Sequence, residues 1–391
     1  MAVPNSEELA RCVEQIDRDR LTKTLCELIE HPSVNPFGEA PRGAEEGERR
    51  VAAYLRDRLT ALGWTCDVDE YAPGRHNALA RLPGASGGRS LMFAGHMDTV
   101  ETTGYPQALT GVVGDGRVHG RGACDMKAAL ACYLEVAEVL AERSISLAGD
   151  LLIAGVGDEE YRQEGAKALG ASGPRADAVI IGEPTELTLC LATKGLAAYD
   201  LRVAGVATHG SVPQHGANAI LTAARLLGGF EDYQRTLDRR RHPLLGPATV
   251  NVGVIEGGTK PNIVPSECRV QFSRRLLPGE SPADVPVELA AVLERGTWSI
   301  GEAWWTVDAY ELPHGHWLAE ALRTAARLSG VPDCEPHGFP ASSDAAYFGS
   351  PVALFGPGSL AQAHSLDEWV SVDDMVTATA VYLRTAFLTA G

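Results

Sequence analysis

Five short segments of the chain place imidazoles and carboxylates directly beyond apolar runs. AGHMDTV sets His96 and Asp98 two residues apart, and GRGACDMKAAL delivers Asp125 from a glycine-rich turn. GVGDEEYRQEG crowds Asp158, Glu159 and Glu160 after LLIAGV, VIIGEPTEL carries Glu183, and FGPGSLAQAHSLDEWV holds His364. Sheet-based folds set their sites at such strand ends. Each segment alone has an ordinary reading. A His-x-Asp pair recurs by chance, an Asp before a helix is usually its N-cap, and a single loop histidine says little. Together they offer more. Adjacent carboxylates repel one another unless cations neutralise them, and two imidazoles with three carboxylates form a mixed nitrogen and oxygen set suited to Zn²⁺, with Co²⁺ or Mn²⁺ as substitutes.

The elements that must position these residues follow from periodicity. Residues 6–31 read as one amphipathic helix, with Leu9, Val13, Ile16, Leu21, Leu25 and Ile29 at helical spacing and Ser6 as N-cap. A second helix is expected from Glu45 to Leu62, ending at Gly63. The runs HNALARL, SLMFAGH, DLLIAGVG and DAVIIGE read as strands, with the helix MKAALACYLEVAEVLAERS between the second and third. That alternation predicts an α/β domain, a mixed sheet flanked by helices. From Ala192 the texture changes: LAAYDLRVAGVATH, ATVNVGVIEGG and ECRVQFSRRLLPGE read as strands of a separate sheet, with helices over ANAILTAARLLGGFEDY and PADVPVELAAVLERG. The expected organisation is a first domain over residues 1–191, an inserted α+β domain over 192–305, and a return to the first domain over 306–391, through the helix HWLAEALRTAARLSG and the strand PVALFGPG.

Composition narrows the classes. A chain of 391 residues is long for one domain, and 45% hydrophobic with 22% charged residues describes a soluble globular protein. A net charge of -17 repels phosphate, so nucleic acid and anionic membrane are not expected as partners. No apolar run is long enough to span a bilayer. The eight cysteines lack CxxC spacing, which suits a reducing cytoplasm, and the start MAVPNSEELARC carries no signal-peptide pattern. A dinucleotide-binding dehydrogenase is set aside, because GDGRVHGRG does not supply GxGxxG after a first strand.

The order GHMDTV, GRGACDMK, DEE, GEPT, THGSVPQHGANAI and FGPGSLAQAHSLDEWV resembles the di-zinc metallopeptidase and amidohydrolase family of acetylornithine deacetylases, succinyl-diaminopimelate desuccinylases, bacterial glutamate carboxypeptidases and aminoacylases, over about residues 20–385. The resemblance implies a zinc-peptidase-like catalytic domain with an inserted dimerisation or lid domain. It implies two divalent ions, Zn²⁺ or alternatively Co²⁺, with Asp125 shared between them, His96 and Glu183 completing one site, and Glu160 and His364 the other. Asp98 would orient His96, and Glu159 would be the general base. His209 matches a histidine that stabilises the developing oxyanion, often across a homodimer interface. Asn262 in KPNIVP and Arg275 in SRRLLPG match positions that hold a substrate carboxylate, whereas Lys260 and Arg274 are expected to face solvent.

Departures from the pattern spare the ligands. ETTGYPQALTGVVG lacks the usual Trp and acidic-aromatic stretch, Ala128 and Ala129 replace glycines, and YRQEG follows the acidic pair. The leading expectation is hydrolysis of an amide in a small N-acyl amino acid with a free carboxylate. Exopeptidase action is the alternative. A non-catalytic binding protein would be expected to have lost a ligand or Glu159, and none is missing.

Overall fold

The computed structural model describes residues 6–390, which divide into two compact units. One holds the chain up to Leu191, then Leu312–His337 and the stretch from Ser343 onward; the other holds Ala192–Glu311 and Gly338–Ser342.

The sheet of the first unit runs in the order Thr65–Ala72, Arg75–Leu82, Leu151–Val156, Leu91–His96, Ala178–Ile181, Val352–Leu354. The last four strands are mutually parallel, and the first two are antiparallel additions. Leu91–His96, Leu151–Val156 and Ala178–Ile181 are buried at every residue. This is why they read as unbroken apolar runs: a parallel strand covered on both faces has no polar side. Helix Lys127–Glu142 is buried over nearly its whole length. A Cβ at Gly182 would come within 2.3 Å of the Ala129 Cβ, so both positions must stay small where this helix crosses the sheet.

Two expectations fail here. The first helix is two, Ser6–Glu14 and Arg18–Glu30, because the Asp17 carboxylate accepts the amides of Asp19 and Arg20 and restarts the helix. Hydrophobic spacing runs through the break and hides it. The capping role of Ser6 lies outside the described side chains. The edge strand Thr65–Ala72 is a further element that periodicity did not mark; its residues are largely exposed or half-buried. Helix Arg49–Ala61 ends at Gly63, whose φ of 85° needs a glycine.

In the second unit the antiparallel sheet runs Thr249–Gly257, Glu267–Leu276, Gly195–Ala204, with Trp298–Ile300 and Trp305–Val307 both pairing with Gly195–Ala204. Helix Ala219–Leu237, capped by Asn218, closes the core with Ala223, Leu226, Phe230 and Tyr233. Glu267–Leu276 alternates strictly, so Cys268, Val270, Phe272, Arg274 and Leu276 are buried. The expectation for Arg274 is therefore corrected. It is fully buried, its guanidinium paired with both Glu280 oxygens at 2.9 Å and lying 5.9 Å from the Tyr233 ring centroid. Lys260 is exposed.

Candidate metal centre

The parallel strands of the first unit deliver the candidate residues at their C-terminal ends. His96 ends its strand; Asp158, Glu159 and Glu160 follow Leu151–Val156; Glu183 follows Ala178–Ile181; and the loop after Val352–Leu354 carries His364. Asp125 stands at the start of helix Lys127–Glu142, joined to Met126 by a cis peptide.

Asp125 is the hub. Its Oδ1 lies 2.9 Å from His96 Nε2, and its Oδ2 lies 3.5 Å from His364 Nε2. His364 Nε2 is also 3.0 Å from Glu160 Oε2. One ligand atom each from His96, Asp125 and Glu160 falls within a 4.8 Å span. Glu160 Oε1 and Glu183 Oε1 are buried with no hydrogen-bond partner. A buried carboxylate oxygen without a donor is costly, and divalent ions fit this donor set.

The electrostatics agree. Burial and the charge of Glu183 hold the Glu159 carboxyl well above its ordinary range, and burial and Asp125 do the same to Glu183. Burial raises Glu160 too, against the opposing hydrogen bond from His364. His364 is pushed up to about 10 by its contacts with Asp125 and Glu160. Burial disfavours the His96 cation, yet its bond to Asp125 and the surrounding acids lift it well above the usual imidazole range. The cluster is short of positive charge, and protons are drawn in to supply it.

Asp98 differs in detail from its expected role. His96 Nδ1 donates to the Asp98 backbone carbonyl at 2.8 Å, and the Asp98 carboxylate sits 3.8 Å from that nitrogen. The carboxylate instead accepts the amides of Glu159 and Glu160 at 3.2 Å each and the Asn35 side chain at 2.7 Å. One residue thus orients the imidazole through its main chain and the acidic pair through its side chain.

Several contributors escaped the sequence reading. Asn35 also reaches Asp158 at 3.2 Å, and Arg75 joins Asp158 at 3.0 Å to Glu48 at 3.0 and 3.1 Å, all buried. Asp158 therefore belongs to a buried ion network behind the site. Asp344, from SSDAAYF, is 2% exposed with an unpartnered Oδ1, and burial lifts its carboxyl to about 8. Two residues beyond Asp125, the buried Lys127 donates to the carbonyls of Leu28 and His31 at 3.0 and 2.9 Å, with its pKa lowered to about 7 by burial. Asp344, between Ser343 and Ala345, carries a local signal in being an acid flanked by small residues.

His209, Asn262 and Arg275 belong to the second unit. His209 is exposed, pairs with Ile263 as an isolated bridge, and accepts the Ser211 amide on Nδ1 at 3.2 Å. The Asn262 carbonyl accepts the Gly210 amide at 2.8 Å, which brings His209 and Asn262 to one turn. Arg275 emerges on the face opposite Arg274, and its Nη1 lies 3.3 Å from Ser342 Oγ.

The sequence profile of Peptidase family M20/M25/M40 matches residues 92–387. The chain belongs to this peptidase family. It is 33% identical over 347 residues to an acetylornithine deacetylase of Myxococcus xanthus, covering 85% of this chain and 90% of the relative. It is 30% identical over 363 residues to that of Vibrio vulnificus, covering 87% and 92%. Among solved structures, the aminopeptidase PepT of Bacillus cereus aligns with a TM-score of 0.78 at 22% identity, covering 96% of this chain and 100% of that one. A tripeptidase of Staphylococcus aureus aligns at 0.77 and 20%, covering 96% and 99%. A Bacillus subtilis family M20 protein described as a dinuclear metal-binding peptidase aligns at 0.67 and 15%, covering 95% and 98%. These likenesses support the fold. As an M20 member with acetylornithine deacetylase relatives, the protein is a metal-dependent hydrolase of amide bonds. Among the described residues, no helix is long and apolar enough to cross a membrane.

Proposed function

We propose that the protein is a deacylase that hydrolyses the amide of a small N-acyl amino acid bearing a free carboxylate, using two divalent ions. The observation that carries this reading is the convergence on Asp125, whose two oxygens face two different histidines. His96 and Glu183 would hold one ion, Glu160 and His364 the other, with Asp125 between them. The nitrogen and oxygen set suits Zn²⁺, with Co²⁺ as the alternative. Such ions would acidify a water and polarise the scissile carbonyl.

Glu159 takes the proton of the attacking water and returns it to the departing amine. With the Ser211 amide donating to Nδ1, a neutral His209 carries its proton on Nε2 and can donate to the oxyanion. Arg275 and Asn262 would grip the substrate carboxylate, which a planar guanidinium matches well. A homodimer through the second unit is supported by the edge strand Thr249–Gly257 and the exposed Val254, Ile255, Ile220 and Leu221. Eight free thiols support a reducing, cytoplasmic setting.

The acetylornithine deacetylase relatives favour deacylation, whereas the peptidases among the structural neighbours keep exopeptidase action as the second reading. Metal-stripped enzyme resupplied separately with Zn²⁺ and Co²⁺ should cleave N-acyl amino acids and spare dipeptides with a free amino terminus. Turnover of the dipeptides alone would decide for the exopeptidase.

A further inference from the structure

Glu368 lies four residues beyond His364, is wholly buried, and has no catalytic part in the reading above. Every polar atom of its carboxylate is spent on the turn that presents Asp125. Oε1 accepts the amides of Cys124 at 2.8 Å and Asp125 at 3.0 Å; Oε2 accepts the amide of Gly122 at 3.0 Å and Arg121 Nη1 at 2.7 Å. Its backbone carbonyl takes the Gly120 amide at 3.1 Å and the Tyr105 hydroxyl at 3.3 Å. Arg121 is itself buried, and its Nε is tied to the Glu101 carbonyl at 3.1 Å.

The next residues, Trp369–Ser371, pair antiparallel with Arg117–His119, which pairs in turn with Val112–Gly114. Two distant stretches, 112–125 and 364–371, are therefore stitched together by a small sheet and finished by one buried carboxylate. The stretches carry Asp125 and His364 respectively. His364 occupies the left-handed backbone region at φ 62°, which a residue with a β-carbon adopts at a cost, so its loop needs outside support.

We propose that Glu368 is a positioning residue that fixes Asp125 relative to His364, so that the two metal sites form together. The proposal rests on Asp125 being shared by both ions. Three main-chain amides and a guanidinium converge on an ionised acceptor that reaches both arms of the turn. An amide at the same position can satisfy only one arm, and it aims N–H groups at donors on the other. The Asp125 amide and its carboxylate belong to one residue, so a shift of the turn moves the ligand directly.

The test is Glu368→Gln, with Asp367→Asn as the control. Asp367 is the exposed neighbour, its carboxylate 3.1 Å from His119 Nδ1, and it undergoes the same change of charge. In Glu368→Gln, titration with Co²⁺ should show at least tenfold weaker binding at one site, and the visible absorption of the bound Co²⁺ should change. The kcat should fall at least tenfold with KM within about twofold, and Asp367→Asn should match the wild type throughout. Equal losses of melting temperature with and without metal, together with unchanged Co²⁺ affinity and spectrum, would make Glu368 merely structural and overturn the proposal. Should Glu368→Gln fail to fold, Arg121→Gln removes one arm alone, and unchanged Co²⁺ binding in that variant overturns the proposal equally. Asp125→Asn separates the two ideas. If that variant keeps both ions at full affinity, the shared-ligand reading falls, whatever Glu368→Gln does.

Discussion

The acidic cluster of the first unit and the three polar residues of the second are built in opposite ways. In the first, His96, Asp125, Glu160 and Glu183 stand just beyond buried strands or at the start of a buried helix, His364 stands in a loop, and further buried residues hold the acidic stretch. Asp98 and Asn35 fix the acidic pair, and Arg75 with Glu48 fixes Asp158. In the second, His209 sits on an exposed turn whose side-chain contacts are to Ser211, two residues away. Arg275 stands half-buried on the face of its strand opposite Arg274, 3.3 Å from Ser342 Oγ. Positions that must hold cations within tenths of an ångström are supported by long-range contacts. His209 is held by contacts within its own turn, whereas Arg275 reaches Ser342 on a later stretch of the chain.

This contrast can be broken most forcefully at the acidic pair. Glu159→Gln should cut kcat by about 10²-fold or more while metal content survives. Glu160→Gln should lose metal and activity together. Metal analysis beside kcat checks both, and metal loss from Glu159→Gln with retention in Glu160→Gln would reverse the two roles. In the second unit, His209→Ala should lower kcat by about 10²-fold with metal content unchanged. Normal turnover would return it to an ordinary surface residue.

Adjacent arginines sharpen the comparison within a single strand. Arg275→Ala should raise KM about tenfold for substrates with a carboxylate, and much less for their neutral amide analogues. Arg274→Ala should leave KM alone and cost about 2 kcal/mol of stability in denaturant unfolding, because it removes the buried charged hydrogen bonds to Glu280, which keeps Arg240 and the Leu277 amide. If both variants alter KM alike, the assigned register of Glu267–Leu276 is wrong.

The smallest effect concerns pH. A carboxyl raised by folding contributes stability that is present below its unfolded pKa and is lost as pH climbs through its folded value. Asp344, lifted to about 8, should therefore make the metal-free protein melt progressively lower between about pH 4 and pH 8. Asp344→Asn stays neutral and should flatten that slope. A parallel pair of melting curves across the range would show that Asp344 is not held in its raised state.

Much of the frame was legible because buried parallel strands advertise themselves as continuous apolar runs, and the candidate residues follow them directly. The break at Asp17 was hidden because a capping carboxylate does not disturb hydrophobic spacing. Asn35, Glu48, Arg75 and Glu368 were hidden for another reason. Their partners lie far away in sequence, Glu368 being 243 residues from Asp125, and no local pattern marks a long-range acceptor. Arg274 is different again. The alternation Cys268, Val270, Phe272 already pointed it inward, and the expectation of a solvent-facing charge set the residue type above the period.

Lys127 carries a consequence for anyone re-engineering the amino terminus. Its amine is sealed beneath the final turn of helix Arg18–Glu30, where it donates to the carbonyls of Leu28 and His31 at the helix end. A truncation that removes Leu28 and His31, or an insertion between them, would leave a buried amine without these acceptors two residues from Asp125. Shortened or circularly permuted versions should therefore open the chain before Asp17. Fusion partners are better placed ahead of that residue than within the thirty that follow.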